Sequence, residues 1–192
     1  MHTTRKKRNK SKPDRYEYLH LLIVEFQEVK SKDARRQVLA NLANFAYDPY
    51  NYKFFRQLEV LDLFLSHLLD ADETLIHFSI SGLCNLSLDP ENKEYILKNN
   101  GVCLIQKLLE SRNENILISA ITTLMFLITP ESKREITDIN NIKCILKLAR
   151  GKNRRIKNLA QIFLDDFCSE QEVKAALDIL ESSVQDIPLP DS

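Results

Sequence analysis

The feature that most constrains this chain is an internal repeat of about 40 residues. Three segments, 38–46, 79–87 and 120–127, can be laid over one another at a constant shift, which takes Asn44 to Asn85 and Leu83 to Leu124. A fourth copy, at 160–164, comes one residue sooner than that shift would place it. The motif Asp-Pro-x-Asn follows the first two copies, whereas the third copy keeps only Pro130. Such a period is typical of helical solenoids, in which neighbouring units share a core that no unit can bury alone.

Each unit shows apolar residues at helical spacing. In the third copy six apolar residues fall at i, i+1, i+4, i+5, i+8 and i+11, which follows the 3.6-residue period of a helix and not the alternation of a strand; they are Ile116, Leu117, Ala120, Ile121, Leu124 and Leu127. Gly101 lies between the first two helices of its unit, where a left-handed or tight turn suits it. The pattern predicts first helices at 51–57, 92–98 and 133–139, second helices at 60–69, 102–109 and 142–149, and third helices at 72–88, 114–128 and 154–168.

The two ends of the array depart from the repeat. Residues 16–30 form an apolar-faced helix that pairs with 32–46 as a truncated first unit, and terminal repeats are usually atypical because their outer face meets water. We therefore predict an all-α fold, a right-handed α-solenoid of about four stacked helical repeats. Its predicted parts are a disordered basic arm at 1–15, a repeat domain at 16–184 with units at 16–48, 49–89, 90–130 and 131–168, a capping helix at 170–182, and a tail at 185–192.

The residue types exclude most chemistry. No two of the three glycines have the spacing of a Gly-x-x-x-x-Gly-Lys loop, and three are too few for the turns of an all-β fold. No apolar run reaches the roughly 18 residues of a membrane span. The four cysteines are widely spaced and four scattered histidines offer no zinc-type spacing, which favours buried thiols in a reduced compartment. We therefore expect no catalytic site, cofactor, metal, membrane contact or small-molecule substrate.

Short sequence motifs around the junction between two units resemble those of a known family. The string Asn85-Leu86-Ser87, followed by Asn92-x-x-x-Ile96 and Gly101-Val102, is similar to the armadillo consensus. The segments LANLANFAYDP at 39–49 and NLAQIFLDDFC at 158–168 resemble more closely a small eukaryotic armadillo-repeat family. This resemblance implies an armadillo-type solenoid in the nucleus that serves pre-mRNA splicing. It further implies a place in the minor (U12-type) spliceosome beside an RNA-recognition-motif protein at the capped end of the U6atac RNA, with most RNA contact indirect.

Candidate partner-binding residues follow from the third helices, which line the concave face of an armadillo solenoid. Asn44 and Asn85 hold the same place on successive third helices, and a side-chain amide there can donate to and accept from the main chain of an extended partner. The alternative is that each amide bonds a neighbouring turn of the solenoid. The same place is predicted to be held by Phe126 in the third copy and by Asp165 in the fourth. This row of four residues is short and chemically mixed, which suits one dedicated partner better than a series of linear peptides.

Two basic segments are further candidates. One spans the turn before the last third helix and is either a solvated turn or a phosphate contact; its cations are Lys147, Arg150, Lys152, Arg154, Arg155 and Lys157. The other is the arm, whose seven basic residues and one acid leave 20 basic and 26 acidic residues in 16–192. The arm resembles a nuclear localisation sequence or an RNA contact, although such tracts are often without a specific role; its motif residues are Arg5, Lys6, Lys7, Arg8 and Lys10.

Together these features favour a non-catalytic adaptor that binds a protein partner. A receptor for linear basic peptides is the first alternative, because residues 16–192 are acidic overall. The absence of tryptophan, which alternates with asparagine in such receptors, speaks against it. Direct RNA binding through 147–157 and the arm is the second alternative.

Overall fold

The computed structural model describes residues 14–185 of the chain, with side chains as far as residue 182. Residues 14–185 form twelve α-helices and no strand. The nuclear-localisation candidates at 5–10 and the predicted tail from 186 onward lie outside the described residues. The helices are α1 Arg15–Glu28, α2 Lys32–Phe45, α3 Tyr52–Gln57, α4 Val60–Ser66, α5 Glu73–Leu86, α6 Pro90–Lys98, α7 Gly101–Gln106, α8 Glu114–Leu127, α9 Lys133–Ile136, α10 Ile139–Ala149, α11 Arg154–Phe167 and α12 Glu170–Gln185.

Four helices of equal length, α2, α5, α8 and α11, form one layer of the solenoid and pack against one another in sequence. Each begins after a residue whose side chain accepts a hydrogen bond from a backbone N–H of the first turn. Those N-cap residues are Ser31, Asp72, Asn113 and Asn153. The predicted third helices are therefore present, with evenly spaced starts except that α11 begins one residue early, and we call this row the third-helix layer.

The aspartate of the Asp-Pro-x-Asn motif caps the first helix of a unit. Asp48 accepts from Tyr50 N, Asp89 accepts from Asn92 N, and the following proline occupies the first helical turn, where no N–H is needed. A short 3₁₀ turn, Pro49–Asn51, precedes α3. The capping aspartate explains why this motif recurs at the start of two units.

The third copy lacks that motif, and the structure corrects the prediction there. The first helix, expected at 133–139, is the four-residue α9, and the second helix begins at Ile139 rather than at 142. Asp138 is the reason, because its carboxylate accepts from the backbone N–H groups of Asn140 and Asn141 and so starts α10 three residues early.

The turn before α7 also differs from the prediction. The left-handed residue is Asn100, with φ 59°, and not Gly101, which is the first residue of α7. Glu59 has the same conformation, φ 55°, at the equivalent position before α4. Gly101 is required for a different reason: a Cβ there would lie 2.6 Å from the main-chain oxygen of Ile96.

One continuous core runs through the array. Its largest side chains without solvent exposure include Phe55, Phe64 and Phe163. Because this core is shared by neighbouring units, stability depends on contacts between units, as expected for a solenoid.

Among the described residues, none of the helices combines the length and the apolar character that crossing a membrane requires.

Polar contacts lock the first two complete units together. Arg56 of α3 donates from Nη1 to Asp89 Oδ1 at 2.8 Å and to Asn92 Oδ1 at 2.9 Å, and its Nε lies 3.0 Å from Glu91 Oε2. Within the first of these units, Tyr52 donates its hydroxyl to the main-chain oxygen of Asn85 at 3.0 Å. These contacts tie α3 to both α6 and α5.

Candidate partner-binding face

Three of the four predicted row residues occupy one register position in the third-helix layer. Asn44, Asn85 and Phe126 are each the thirteenth residue of their helix. Asn44 and Phe126 are exposed and Asn85 is half-buried. The structure therefore brings these three side chains into one row on neighbouring helices.

Asp165 does not share that register. It is the twelfth residue of α11, and the thirteenth is Asp166. Because one residue turns the side chain by about 100°, Asp165 lies in a groove between α10, α11 and α12, where it accepts from Gln161 Nε2 at 2.8 Å. The spacing from α8 to α11 is one residue shorter than the earlier spacings, which accounts for the difference.

The two row asparagines have free amides. Within the described side chains neither Asn44 nor Asn85 forms a side-chain hydrogen bond; Asn85 is held only through its main-chain oxygen. The internal turn bond that offered an alternative explanation for these amides is therefore not formed in residues 14–182. Both amides can donate to and accept from a partner.

A groove between α2 and α5 contains both amides. Its volume is about 490 Å³, and it is lined by Ala43, Asn44, Tyr47, His77, Phe78, Ser81 and Asn85. Aromatic side chains beside unpaired amides give the groove apolar contact area together with polar anchoring points. Its lining residues include neither Asp, Glu, Lys nor Arg.

Sequence reasoning missed two exposed apolar side chains beside the row. Tyr47 is 79% exposed and Leu88 is 58% exposed, and each is the second residue after a third helix. The repeat itself carried this signal, because both equivalent positions are large and apolar where the chain leaves the layer. Tyr47, Leu88 and Phe126 together give this edge of the layer exposed apolar surface.

Burial lowers the pKa of His77 below its ordinary value near 6.5, and the nearby carboxylate of Glu73 opposes that shift. The imidazole is therefore neutral at pH 7, and the groove carries no formal charge from its lining side chains. A neutral groove of this kind favours apolar or aromatic side chains over lysine and arginine.

We expect His77 to make the protein less stable in mild acid. Since the unfolded chain binds the proton more tightly than the folded chain, the free energy of unfolding falls as the pH falls below about 6.5. The variant His77→Gln should lose less stability than the wild type between pH 7 and pH 5 in urea unfolding followed by circular dichroism. An equal loss in both proteins would contradict this assignment.

The basic turn between α10 and α11 presents six exposed cations, at 147, 150, 152, 154, 155 and 157. None of them pairs with a carboxylate within residues 14–185. The equivalent turn of the first complete unit carries Asp70, Asp72 and Glu73 instead. This turn is therefore a local positive edge on an otherwise acidic body.

The four cysteines are free and half-buried. Burial raises the pKa of Cys84, and burial with the nearby Glu172 raises the pKa of Cys168 to about 11. Both thiols therefore stay protonated at pH 7, and a protonated thiol is a poor nucleophile and metal ligand.

Comparison with known proteins identifies the repeat. The chain is 51% identical over 175 residues to armadillo repeat-containing protein 7 of Mus musculus, a match that spans 90% of this chain and 88% of the mouse protein. The chain belongs to this armadillo repeat family. No family model matches it.

Solved armadillo structures share the fold. One designed armadillo repeat protein superposes with a TM-score of 0.72 at 14% identity over 82% of this chain and 70% of its own. A second, in complex with the peptide (KR)4, has a TM-score of 0.70 at 18% identity, and the match spans 79% of this chain and 64% of the designed one. The predicted all-α, armadillo-type solenoid is thus confirmed, and the chain is a repeat scaffold suited to binding proteins.

Proposed function

We propose that the chain is a non-catalytic adaptor of pre-mRNA splicing that holds one protein partner on its third-helix layer. The observation that carries the proposal is the α2–α5 groove, where the free amides of Asn44 and Asn85 lie beside Tyr47 and Phe78. A partner segment can satisfy the amides with its main chain and place an apolar side chain between the rings. Phe126 extends the same row onto α8.

The setting of this adaptor comes from the family resemblance. We assign it to the nucleus and to the minor spliceosome, with an RNA-recognition-motif protein at the U6atac RNA as its partner. A receptor for linear basic peptides fits the groove less well. The lining of the α2–α5 groove contains neither Asp nor Glu, so a lysine or arginine buried there would have no carboxylate to pair with.

Direct RNA contact is a second candidate, favoured by the positive edge of α10 and α11. Six exposed cations with no acid partner in the described residues can neutralise phosphates without reading sequence. We assign this edge a supporting contact to RNA, with the protein partner as the main ligand.

Affinity purification of the full chain from nuclear extract, with identification of bound protein and RNA, tests the proposal. We expect minor-spliceosome proteins, an RNA-recognition-motif protein among them, together with U6atac RNA. A broad set of basic cargo proteins would instead establish the peptide receptor. Recovery of neither class, with normal U12-type splicing after depletion, would overturn the splicing role.

The double variant Asn85→Asp, Phe126→Asp tests the binding face. Since two row positions would each lose their contact and gain a charge, we expect partner binding to weaken by about 30-fold or more, the loss of one interface hot spot of about 2 kcal/mol. The measurement is the Kd by isothermal titration calorimetry with the purified partner.

The matched control makes the same kinds of change elsewhere. Leu69→Asp with Asn140→Asp replaces one exposed leucine and one exposed asparagine outside the third-helix layer. It should bind as the wild type does. If the folded Asn85→Asp, Phe126→Asp protein bound with an unchanged Kd, the partner would have to bind on a face other than the third-helix layer.

A further inference from the structure

A second groove lies between α6 and α9. Its volume is about 620 Å³, and Pro90 and Leu97 give it an apolar floor. Lys93 lies on the α6 side of the groove, and Glu131 and Glu135 lie on the α9 side. These residues belong to first helices and to the chain that leads into them, so this surface is distinct from the third-helix layer.

The origin of this groove is visible in the repeat. In the preceding joint, Arg56 of α3 donates to Asp89, the N-cap residue of α6, and to Asn92 of α6, and so bridges the two helices. One repeat later, Leu97 stands in the place of Arg56, and the carboxylate of Asp89 is replaced by Pro130. The joint therefore lacks the bridge that Arg56 makes, and the four-residue α9 is too short to cover α6.

The charges around the groove are unequally paired. Glu94 and Lys98 form an ion pair with each other along α6. Within residues 14–185, neither Glu131 nor Glu135 forms a salt bridge with a cation. The α9 side of the groove thus presents two carboxylates that lack a counter-ion in this part of the chain, next to an apolar floor.

We propose that the α6–α9 groove is a second docking site, which takes a short linear segment of a protein partner with one bulky apolar side chain next to a lysine or arginine. The apolar side chain covers Pro90 and Leu97, where Arg56 fills the equivalent space in the preceding joint. The neighbouring cation reaches Glu131 and Glu135. Three carboxylates against two lysines in the lining repel a polyanion such as RNA, which favours a polypeptide.

The test selects random dodecapeptides displayed on phage against the full chain, and then measures synthetic copies of the enriched peptides by fluorescence anisotropy. We expect enrichment of a large apolar residue adjacent to lysine or arginine. Leu97→Arg, which restores the residue type of the preceding joint, should weaken these peptides at least 10-fold. Glu131→Lys with Glu135→Lys should weaken them by a similar factor and leave the floor intact.

Control variants separate this groove from the third-helix layer. Leu69→Arg makes the same change at an exposed leucine outside the groove and should leave peptide affinity unchanged, as should Asn85→Asp with Phe126→Asp. The Glu131→Lys, Glu135→Lys variant alters two exposed rim residues, so it decides the outcome even where Leu97→Arg fails to fold. No enrichment, peptides with acidic flanks, or peptides indifferent to the rim variant would each overturn the proposal.

Discussion

Gly82→Thr should destabilise the protein by about 3 kcal/mol, near the upper end of overpacking in a closed core. A Cβ on Gly82 would lie 2.6 Å from Cζ of Phe64, whose ring has no solvent exposure. Because the ring is buried in a close-packed core, α5 must shift away from α4 to admit the methyl and hydroxyl groups. The free energy of unfolding from urea titration, followed by circular dichroism, measures the loss.

The repeat supplies both a rescue and a control for this variant. One repeat later the equivalents of Phe64 and Gly82 are Ile105 and Thr123, a smaller core residue paired with a larger helix residue. Phe64→Ile with Gly82→Thr copies that pair and should recover much of the lost stability. Ser81→Thr, on the half-exposed neighbouring position, should stay within about 0.5 kcal/mol of the wild type. A stable Gly82→Thr single variant would mean that the α4–α5 contact is looser than the structure shows.

The fold was predictable from sequence because each unit repeats the same local instructions. An N-cap residue starts every third helix, and Asp48 and Asp89 start first helices in the same way. The errors occur where a unit departs from that pattern. Asp138 starts α10 early, and Asn100 rather than Gly101 takes the left-handed turn, because the glycine is needed where Ile96 approaches closely.

The candidate site was predictable only as far as register could carry it. Asn44, Asn85 and Phe126 share one helical position, which spacing alone can establish. Asp165 was assigned with an error of one residue, since a unit that is shorter by one residue cannot be recognised without the helix start. Neither row asparagine forms a side-chain hydrogen bond within the described side chains. This could not be predicted, because it depends on distances between units that the spacing of residues in the sequence does not give.

The α6–α9 groove was beyond sequence reasoning for a related reason. Leu97 looks like an ordinary apolar residue of an amphipathic helix. That Leu97 leaves a groove open can be recognised only because Arg56, at the equivalent position one repeat earlier, bridges two first helices. A repeat protein therefore reveals special positions by comparison among its own units, once the structure shows what the standard residue does.

Arg56→Leu should cost about 3 kcal/mol of unfolding free energy, the other large effect that we expect, because it removes charge-assisted hydrogen bonds to Asp89 and Asn92. Asn92 is fully buried, so water cannot replace the hydrogen bond that its side-chain oxygen accepts from Arg56. Part of the loss should disappear at molar concentrations of NaCl, because the Arg56–Asp89 pair is partly exposed and salt screens it in the wild type. Urea unfolding at low and high salt measures both quantities.

The same substitution also tests whether the array is locked unit by unit. Arg112→Leu removes an exposed arginine that has no ion pair in the described residues, so it should change stability by less than about 0.5 kcal/mol. Hydrogen exchange should then show faster opening of α3 and α6 in Arg56→Leu, while α10 and α11, farther along the array, keep their protection. Equal loss of protection along the whole chain would mean that the solenoid unfolds as one cooperative block. In that case Arg56 would stabilise the entire array and not only the joint between α3 and α6.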